Sequence, residues 1–265
     1  GVNVLPADVR YSYWDCALEP GRSTPALRLG LRMIKGLRQD VTQRLVQARL
    51  ESPFRDVQDF TNRANMSRHD LAILAEAAAL RGLAGHRHRA RWEIAASEKN
   101  WGQSNNYSFY SDPNFAGHHA ESVSIRPPSE VDDTRADYAS TGLTLGRHPI
   151  ALLRPMLRHR RARTASELHG MAHGSHVRAC GLVTMRQRPM TASGTIFLTL
   201  EDETGIANII VRPDLFDRDR LVIVEEPFLI VDGVLQSQDG VTSVRAEAVQ
   251  GMTGPTVDFD AHDFY

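Results

Sequence analysis

A chain of 265 residues with 42% hydrophobic content is long enough for more than one domain and apolar enough for ordinary packed cores. No run approaches the roughly 18 apolar residues of a membrane helix, and the start Gly1-Val2-Asn3-Val4 lacks the basic and apolar regions of a signal peptide. The cysteines Cys16 and Cys180 lie far apart without a CxxC partner, which argues against a disulfide framework or a zinc site and for a reducing cytoplasm. Gly1 in place of an initiator Met suggests a cut or fragment edge.

The net charge of −1 hides an uneven distribution. All of the 31 basic residues except Lys35 and Lys99 are Arg. Coding bias alone would give this, and so would a use of the guanidinium fork for phosphate recognition. Residues 81–91 and 147–163 carry arginine and histidine with no acid, and such blocks are able to follow a phosphate backbone. Residues 121–137 and 258–265 are acidic.

In chain order, residues 1–26 read as an extended connector, with Val2-Asn3-Val4-Leu5-Pro6 as a strand. Residues 27–96 read as a helical domain of helix-hairpin-helix type. There the apolar run Leu27-Arg28-Leu29-Gly30-Leu31-Arg32-Met33-Ile34-Lys35-Gly36-Leu37 turns at Gly36 into a helix. In a helix-hairpin-helix module such a turn aims backbone N–H groups and a helix N-terminus at a phosphate. The usual hairpin is Gly-hydrophobic-Gly, and Arg38 takes the third place here. The contact then passes to the side chains of Arg38 and Lys35, and Asp40 is expected to cap the helix. The competing reading is a glycine-capped turn inside a helical packing module.

Ser52-Pro53 and Ser67-x-x-Asp70 read as helix starts. Leu71, Leu74, Ala75 and Ala78 recur at helical spacing, with Gly82 as the stop. Residues 97–135 are rich in Asn, Ser, Gly, Pro and His and read as a flexible linker, with Asp132-Asp133 inside it. Residues 136–170 return to helix as a connector.

From 171 to 252 the pattern changes to β. Runs at 177–185, 195–200, 206–211, 228–235 and 241–249 mix β-branched and apolar residues. Arg188-Pro189, Ser193-Gly194, Thr204-Gly205 and Asp239-Gly240 punctuate them. Between the third and fourth runs, Arg212-Pro213-Asp214 favours a helix start. Five strands with a helix between the third and fourth is the layout of the OB-fold barrel, which commonly holds single strands on its strand 2–3 face. The whole is thus an α+β multidomain chain, a helix-hairpin-helix-type module followed by a five-stranded OB-fold β-barrel, with an acidic tail at 253–265.

Four ordered motifs carry a resemblance. They are Leu29-Gly30-Leu31-Arg32-Met33-Ile34-Lys35-Gly36-Leu37, then Asp137-Tyr138-Ala139-Ser140-Thr141-Gly142-Leu143-Thr144-Leu145-Gly146-Arg147-His148-Pro149, then Arg186-Gln187-Arg188-Pro189, then Thr199-Leu200-Glu201-Asp202-Glu203-Thr204-Gly205-Ile206-Ala207-Asn208. Together they resemble the carboxy-terminal part of bacterial error-prone DNA polymerases of the C-family, damage-inducible relatives of the DNA polymerase III alpha subunit. The resemblance spans nearly the whole chain apart from about residues 97–130. It implies a DNA-directed nucleotidyltransferase whose palm carboxylates hold two magnesium ions. That palm is expected upstream, so this chain is expected to hold no catalytic residue, no metal site and no cofactor, and to be inactive alone. Glu201-Asp202-Glu203 reads as a solvated turn, and the histidines lack HExxH spacing.

Two functions of different class follow. The first is a DNA-holding region for translesion synthesis and repair. Lys35, Gly36 and Arg38 would lie on primer–template duplex, and Arg178, Arg186, Arg188, Phe197 and Arg212 on single-stranded template. Arg186 and Arg188 flank the first hairpin and are expected to be exposed. Phe197 either stacks on a base or fills the core, the ordinary place for an apolar strand residue. The second is a protein-docking module engaging other damage-tolerance polymerase components, with the apolar stretch 146–157 as its main feature. That stretch reads equally as a packed interdomain helix.

Overall fold

A computed structural model describes residues 2–21, 24–101, 124–238, 240–252 and 262–264, and the chain divides into two compact units, Gly1–Leu145 and Gly146–Tyr265. The middle of the expected linker, 102–123, lies outside the described residues.

The first unit opens with three short strands, β1 (Asn3–Leu5), β2 (Ala17–Glu19) and β3 (Ala26–Arg28), in the order β1-β3-β2. The segment expected to be extended is therefore a sheet edge of the helical unit. Ala7 and Val9, just beyond β1, are buried in the helical core. The helices are α1 (Gln39–Glu51), α2 (Val57–Ala64), α3 (Arg68–Glu76), α4 (Arg81–Ala84), α5 (Arg87–Trp101) and α6 (Glu130–Thr141). Leu31, Ile34, Val41, Leu45, Phe60, Leu71, Leu74 and Leu80 form their shared core. Each such apolar side chain contributes roughly 1.5–3 kcal/mol by leaving water.

Helix boundaries partly differ from the sequence expectations. Ser67 caps α3 by accepting from the Asp70 N–H at 3.1 Å, as expected. Ser52-Pro53 instead ends α1, because the residue before a proline is pushed to extended backbone and Ser52 has φ −162°, ψ 141°. The cap of α2 is Asp56, whose carboxylate accepts from the Asp59 N–H at 2.7 Å. Gly82 is not a stop; it lies within α4, packed against the Arg10 guanidinium. Asp132-Asp133 is helical rather than linker, because Ser129 and Asp132 form a reciprocal capping box at the start of α6.

The second unit begins with α7 (Pro149–His159) and α8 (Ala165–His169), then β4 (His176–Gln187), β5 (Ile196–Asp202), β6 (Gly205–Val211), α9 (Pro213–Glu225), β7 (Phe228–Gln238) and β8 (Val241–Gly251). The five strands pair in the order β5-β6-β8-β7-β4, and β4 also pairs with β5, which closes the barrel. A short β9 (His262–Phe264), in the segment expected to be an acidic tail, runs parallel to β4 beside Met185–Gln187. Inward-facing Val177, Val183, Leu198, Leu200, Ile209, Val231, Leu235 and Val244 fill the barrel, and Leu215, Phe216 and Ile223 of α9 belong to the same core. At the β7–β8 bulge, a Cβ on Gly233 would lie 2.2 Å from the Arg245 carbonyl oxygen, so only glycine permits this approach.

Outside the barrel, Ile150 and Leu157 of α7 pack with Cys180, Leu182, Phe228 and Ile230. This burial on both faces explains the near-continuous apolar character of the middle of β4 and the start of β7. The stretch proposed for protein docking is therefore largely spent inside the second unit, because its apolar stripe faces the barrel.

Candidate nucleic-acid interface

In the first unit the site is the turn between a 3-10 helix, Leu31–Met33, and α1. Buried Leu31, Ile34 and Leu37 pin the turn from beneath, while Lys35, Gly36 and Arg38 are exposed. Gly36 has φ +80°, a backbone region in which an L side chain costs about 1–2 kcal/mol. A Cβ there would also meet Ile73 Cδ1 at 3.2 Å. The Lys35 N–H donates to the Ser140 carbonyl at 2.8 Å. Arg38 occupies the N-cap position of α1, and no side chain accepts from the first-turn N–H groups there. The expected Asp40 cap is thus corrected. Asp40 lies inside the first turn and pairs instead with Arg44 at 3.1 Å and Arg38 at 3.5 Å. What remains is a 13-residue helix that starts without a side-chain cap beside the exposed Lys35 and Arg38, an arrangement that favours an anion.

In the second unit, strand parity sets the outer face. Along β5, Ile196, Leu198 and Leu200 are buried and Phe197 points out, 37% exposed. Phe197 is therefore not a core residue, because it is out of phase with the inward residues. On β6 the outward residues are Ile206, Asn208 and Ile210. Phe197 lies opposite Ile210, and Ile210 opposite Arg245 on β8. The next row places Thr199 opposite Asn208 and Asn208 opposite Ser243. An aromatic ring, an aliphatic side chain and a guanidinium therefore sit side by side across three strands. Arg245 approaches Glu247 at 3.6 Å, and its Nε is buried without a hydrogen-bond partner.

The arginines named from sequence divide sharply. Arg186, expected to be exposed, is buried and donates through Nε to the Ile223 carbonyl and through a terminal nitrogen to the Glu226 carbonyl, at 2.8 and 2.9 Å. It fastens the end of α9 to β4 and is removed from the binding face. Arg178 grips both Asp232 oxygens, at 2.6 and 2.8 Å, and donates to the Arg160 carbonyl at 3.0 Å. Arg188 is exposed and lies 5.4 Å from the Phe216 ring centroid. Arg212, also exposed, precedes α9 and pairs with Asp214 at 3.0 Å.

Glu201-Asp202-Glu203 is not a solvated turn. Arg154 of α7 pairs with Asp202 at 2.9 Å and Glu203 at 2.6 Å, and Asp202 also accepts from the Ala165 and Thr204 N–H groups. Burial opposes the Arg154 charge, but Glu203 and Asp202 outweigh it and keep the guanidinium protonated. Burial likewise pushes the neighbouring Cys180 thiol to about 11 and lowers His148 below its ordinary value. In the first unit, the basic block at 81–91 is also largely paired. Arg87 is buried against Asp133, Asp137 and the Glu76 carbonyl, Arg91 pairs with Glu76 and Arg89 with Glu93.

Sequence reasoning missed Ile206, Asn208, Ile210 and Arg245. Their alternation was legible, but which strand adjoins which is a matter of pairing.

Comparison with known proteins agrees with both units. Residues 1–90 match the helix-hairpin-helix motif family and residues 177–250 the OB-fold nucleic acid binding domain family. An error-prone DNA polymerase of Pseudomonas paraeruginosa is 47% identical over 256 residues, covering 95% of this chain and 24% of the relative. One from Bordetella parapertussis is 47% identical over 249 residues, covering 93% and 23%. One from Alkalilimnicola ehrlichii is 43% identical over 270 residues, covering 100% and 25%. Among solved structures, an asparaginyl-tRNA synthetase from Pyrococcus horikoshii aligns over 33% of this chain and 22% of its own, at 22% identity and a TM-score of 0.28. With both domain families and such relatives in agreement, the chain belongs to the error-prone DNA polymerases and corresponds to their carboxy-terminal part, about a quarter of their length.

Proposed function

We propose that the chain is the DNA-holding region of a damage-tolerance polymerase acting in the cytoplasm in translesion synthesis and repair, without polymerase activity of its own. The observation that carries this reading is the row Phe197, Ile210, Arg245 on the outer face of β5, β6 and β8, in which Phe197 is exposed and Ile210 and Arg245 are half-buried. An exposed ring on such a face stacks a base for roughly 1–3 kcal/mol, and an adjacent guanidinium supplies charge to the backbone. The Gly36 turn adds a second contact suited to duplex phosphate. The partners are single-stranded template, primer–template duplex and other components of the damage-tolerance polymerase.

The family's chemistry uses magnesium held by clustered carboxylates. Among the described residues no three His, Cys, Asp or Glu side chains converge on a possible metal position, and no metal-dependent step is assigned to this chain.

Fluorescence anisotropy with single-stranded, duplex and primer–template DNA across a salt series tests the proposal. A log–log slope reporting several released counterions supports it. Dissociation constants weaker than about 10⁻⁴ M, the weak end of ordinary non-specific binding, would sink it and favour protein docking. Primer extension with magnesium and nucleotides should yield no product. Extension by a contaminant-checked sample would overturn the claim of inactivity.

A further inference from the structure

Within the block 147–163, two arginines have no carboxylate partner among the described residues. Arg154 is neutralised inside the second unit and Arg163 approaches Glu167 at 4.0 Å, but among the described residues no acid pairs with Arg160 or Arg161. Arg160, Arg161 and Arg163 line a cleft of about 450 Å³ together with Arg178 of β4 and Asp232 of β7. Two carboxylates, Asp232 and Glu247, face four arginines there. Both are engaged, Asp232 by Arg178 and Glu247 by His176 and Arg245.

The backbone under this cluster breaks a local rule. Helix α7 ends with the Arg161 N–H donating to the Arg158 carbonyl and the Ala162 N–H to the Leu157 carbonyl. That paired pattern usually carries glycine at the left-handed position. Here Arg161 occupies it, with φ +59°. Strain of this kind at a non-glycine residue is a reason to look for a function of the side chain. The cleft also adjoins the stacking row, since Arg245 of that row and Glu247 of the cleft are two residues apart on β8, about 7 Å along the strand.

We propose that this cleft is a second anion site, which takes backbone phosphates of the single strand after it crosses the Phe197–Ile210–Arg245 row. The inference rests on the DNA-holding reading. Arg178 acts as a positioning residue that fixes Asp232 and the Arg160 carbonyl, and Arg160 and Arg161 supply the phosphate donors. Guanidinium forks suit a phosphodiester because two parallel N–H donors meet two oxygens.

The test compares the full chain with the double variant Arg160→Ala, Arg161→Gly, using a fluorescein-labelled oligothymidylate across a salt series. Binding should weaken, and the logarithmic salt slope should become shallower by about 0.7 for each lost phosphate contact. Because glycine is at ease at the strained position, Tm should stay unchanged or rise, so that weaker binding cannot be assigned to unfolding. The exposed Arg220→Ala, on α9, serves as a charge control and should leave the slope unchanged. If the parent binds and the double variant binds with equal affinity and slope, the cleft is excluded while the DNA-holding reading stands. If the parent does not bind, both fall. Binding of free dATP that the double variant abolishes, with oligothymidylate binding unchanged, would make the cleft a nucleotide site and overturn the proposal.

Discussion

Arg154 and Phe197 show how one side chain's surroundings decide its role. Arg154 is nearly inaccessible, and Asp202 beside it is 2% exposed. Removing the cation leaves a buried carboxylate without its counter-charge, a change that typically costs 3–5 kcal/mol. We therefore expect Arg154→Ala to lower unfolding stability by roughly that amount in a urea titration, and a loss below about 1 kcal/mol would show that the pair behaves as a solvated one. Phe197 is the reverse case. Its ring lies outside the barrel core, so Phe197→Ala should fall well short of the roughly 3–5 kcal/mol stability loss of a buried aromatic. Single-strand binding should weaken by roughly 1–3 kcal/mol. Large destabilisation with unchanged affinity would reverse that assignment.

Among the elements, the hairpin before α1 carries the most specific expectation. The turn combines an exposed Lys35 and Arg38, a glycine at φ +80° and a helix start without a side-chain cap. Lys35→Ala with Arg38→Ala should weaken duplex binding and leave oligothymidylate binding nearly unchanged, because neither side chain contributes to the core beneath. Equal weakening of both ligands would mean that the two surfaces do not act separately. Helix α7 illustrates the opposite outcome. Its apolar stripe and its central arginine both serve the second unit, which removes most of what a docking surface there would require.

For the whole molecule the ion pairs predict a response to acid. Partial burial of Asp59 opposes its charge, yet the Arg55 N–H and Arg63 hold its carboxyl below the ordinary range. The Thr164 N–H lowers Glu167, and Arg218 lowers Asp219. These groups add stability above their ordinary values near 4, and it is lost as pH falls through the lowered folded values. His148 is depressed mainly by burial from 6.5, so the unfolded chain takes up its proton first, and stability declines already as pH drops below about 6.5. Thermal unfolding should thus show two declines on acidification. His148→Gln should flatten the upper one, and an unchanged profile in that variant would remove His148 as its source.

The barrel and its inserted helix were legible in the sequence because alternation with period two and glycine- or proline-containing turns are local signals. The same alternation shows which residues of β5 share a face. The hairpin was legible too, since Gly36 marks a backbone reversal that other residues resist. Which arginines stay free for a ligand was not legible, for a reason of distance along the chain. Arg87 meets Asp133 and Asp137 from 46 and 50 residues away, Arg154 meets Asp202 from 48, and Arg178 meets Asp232 from 54. Arg186 is absorbed by carbonyls of α9 and the residue after it. A stretch without acids looks electropositive on paper, but folding brings the counter-charges from elsewhere. The sequence by itself determined the elements and their polarity; only the tertiary structure decided which cations remain unpaired, because electrostatic pairing depends on separation in space.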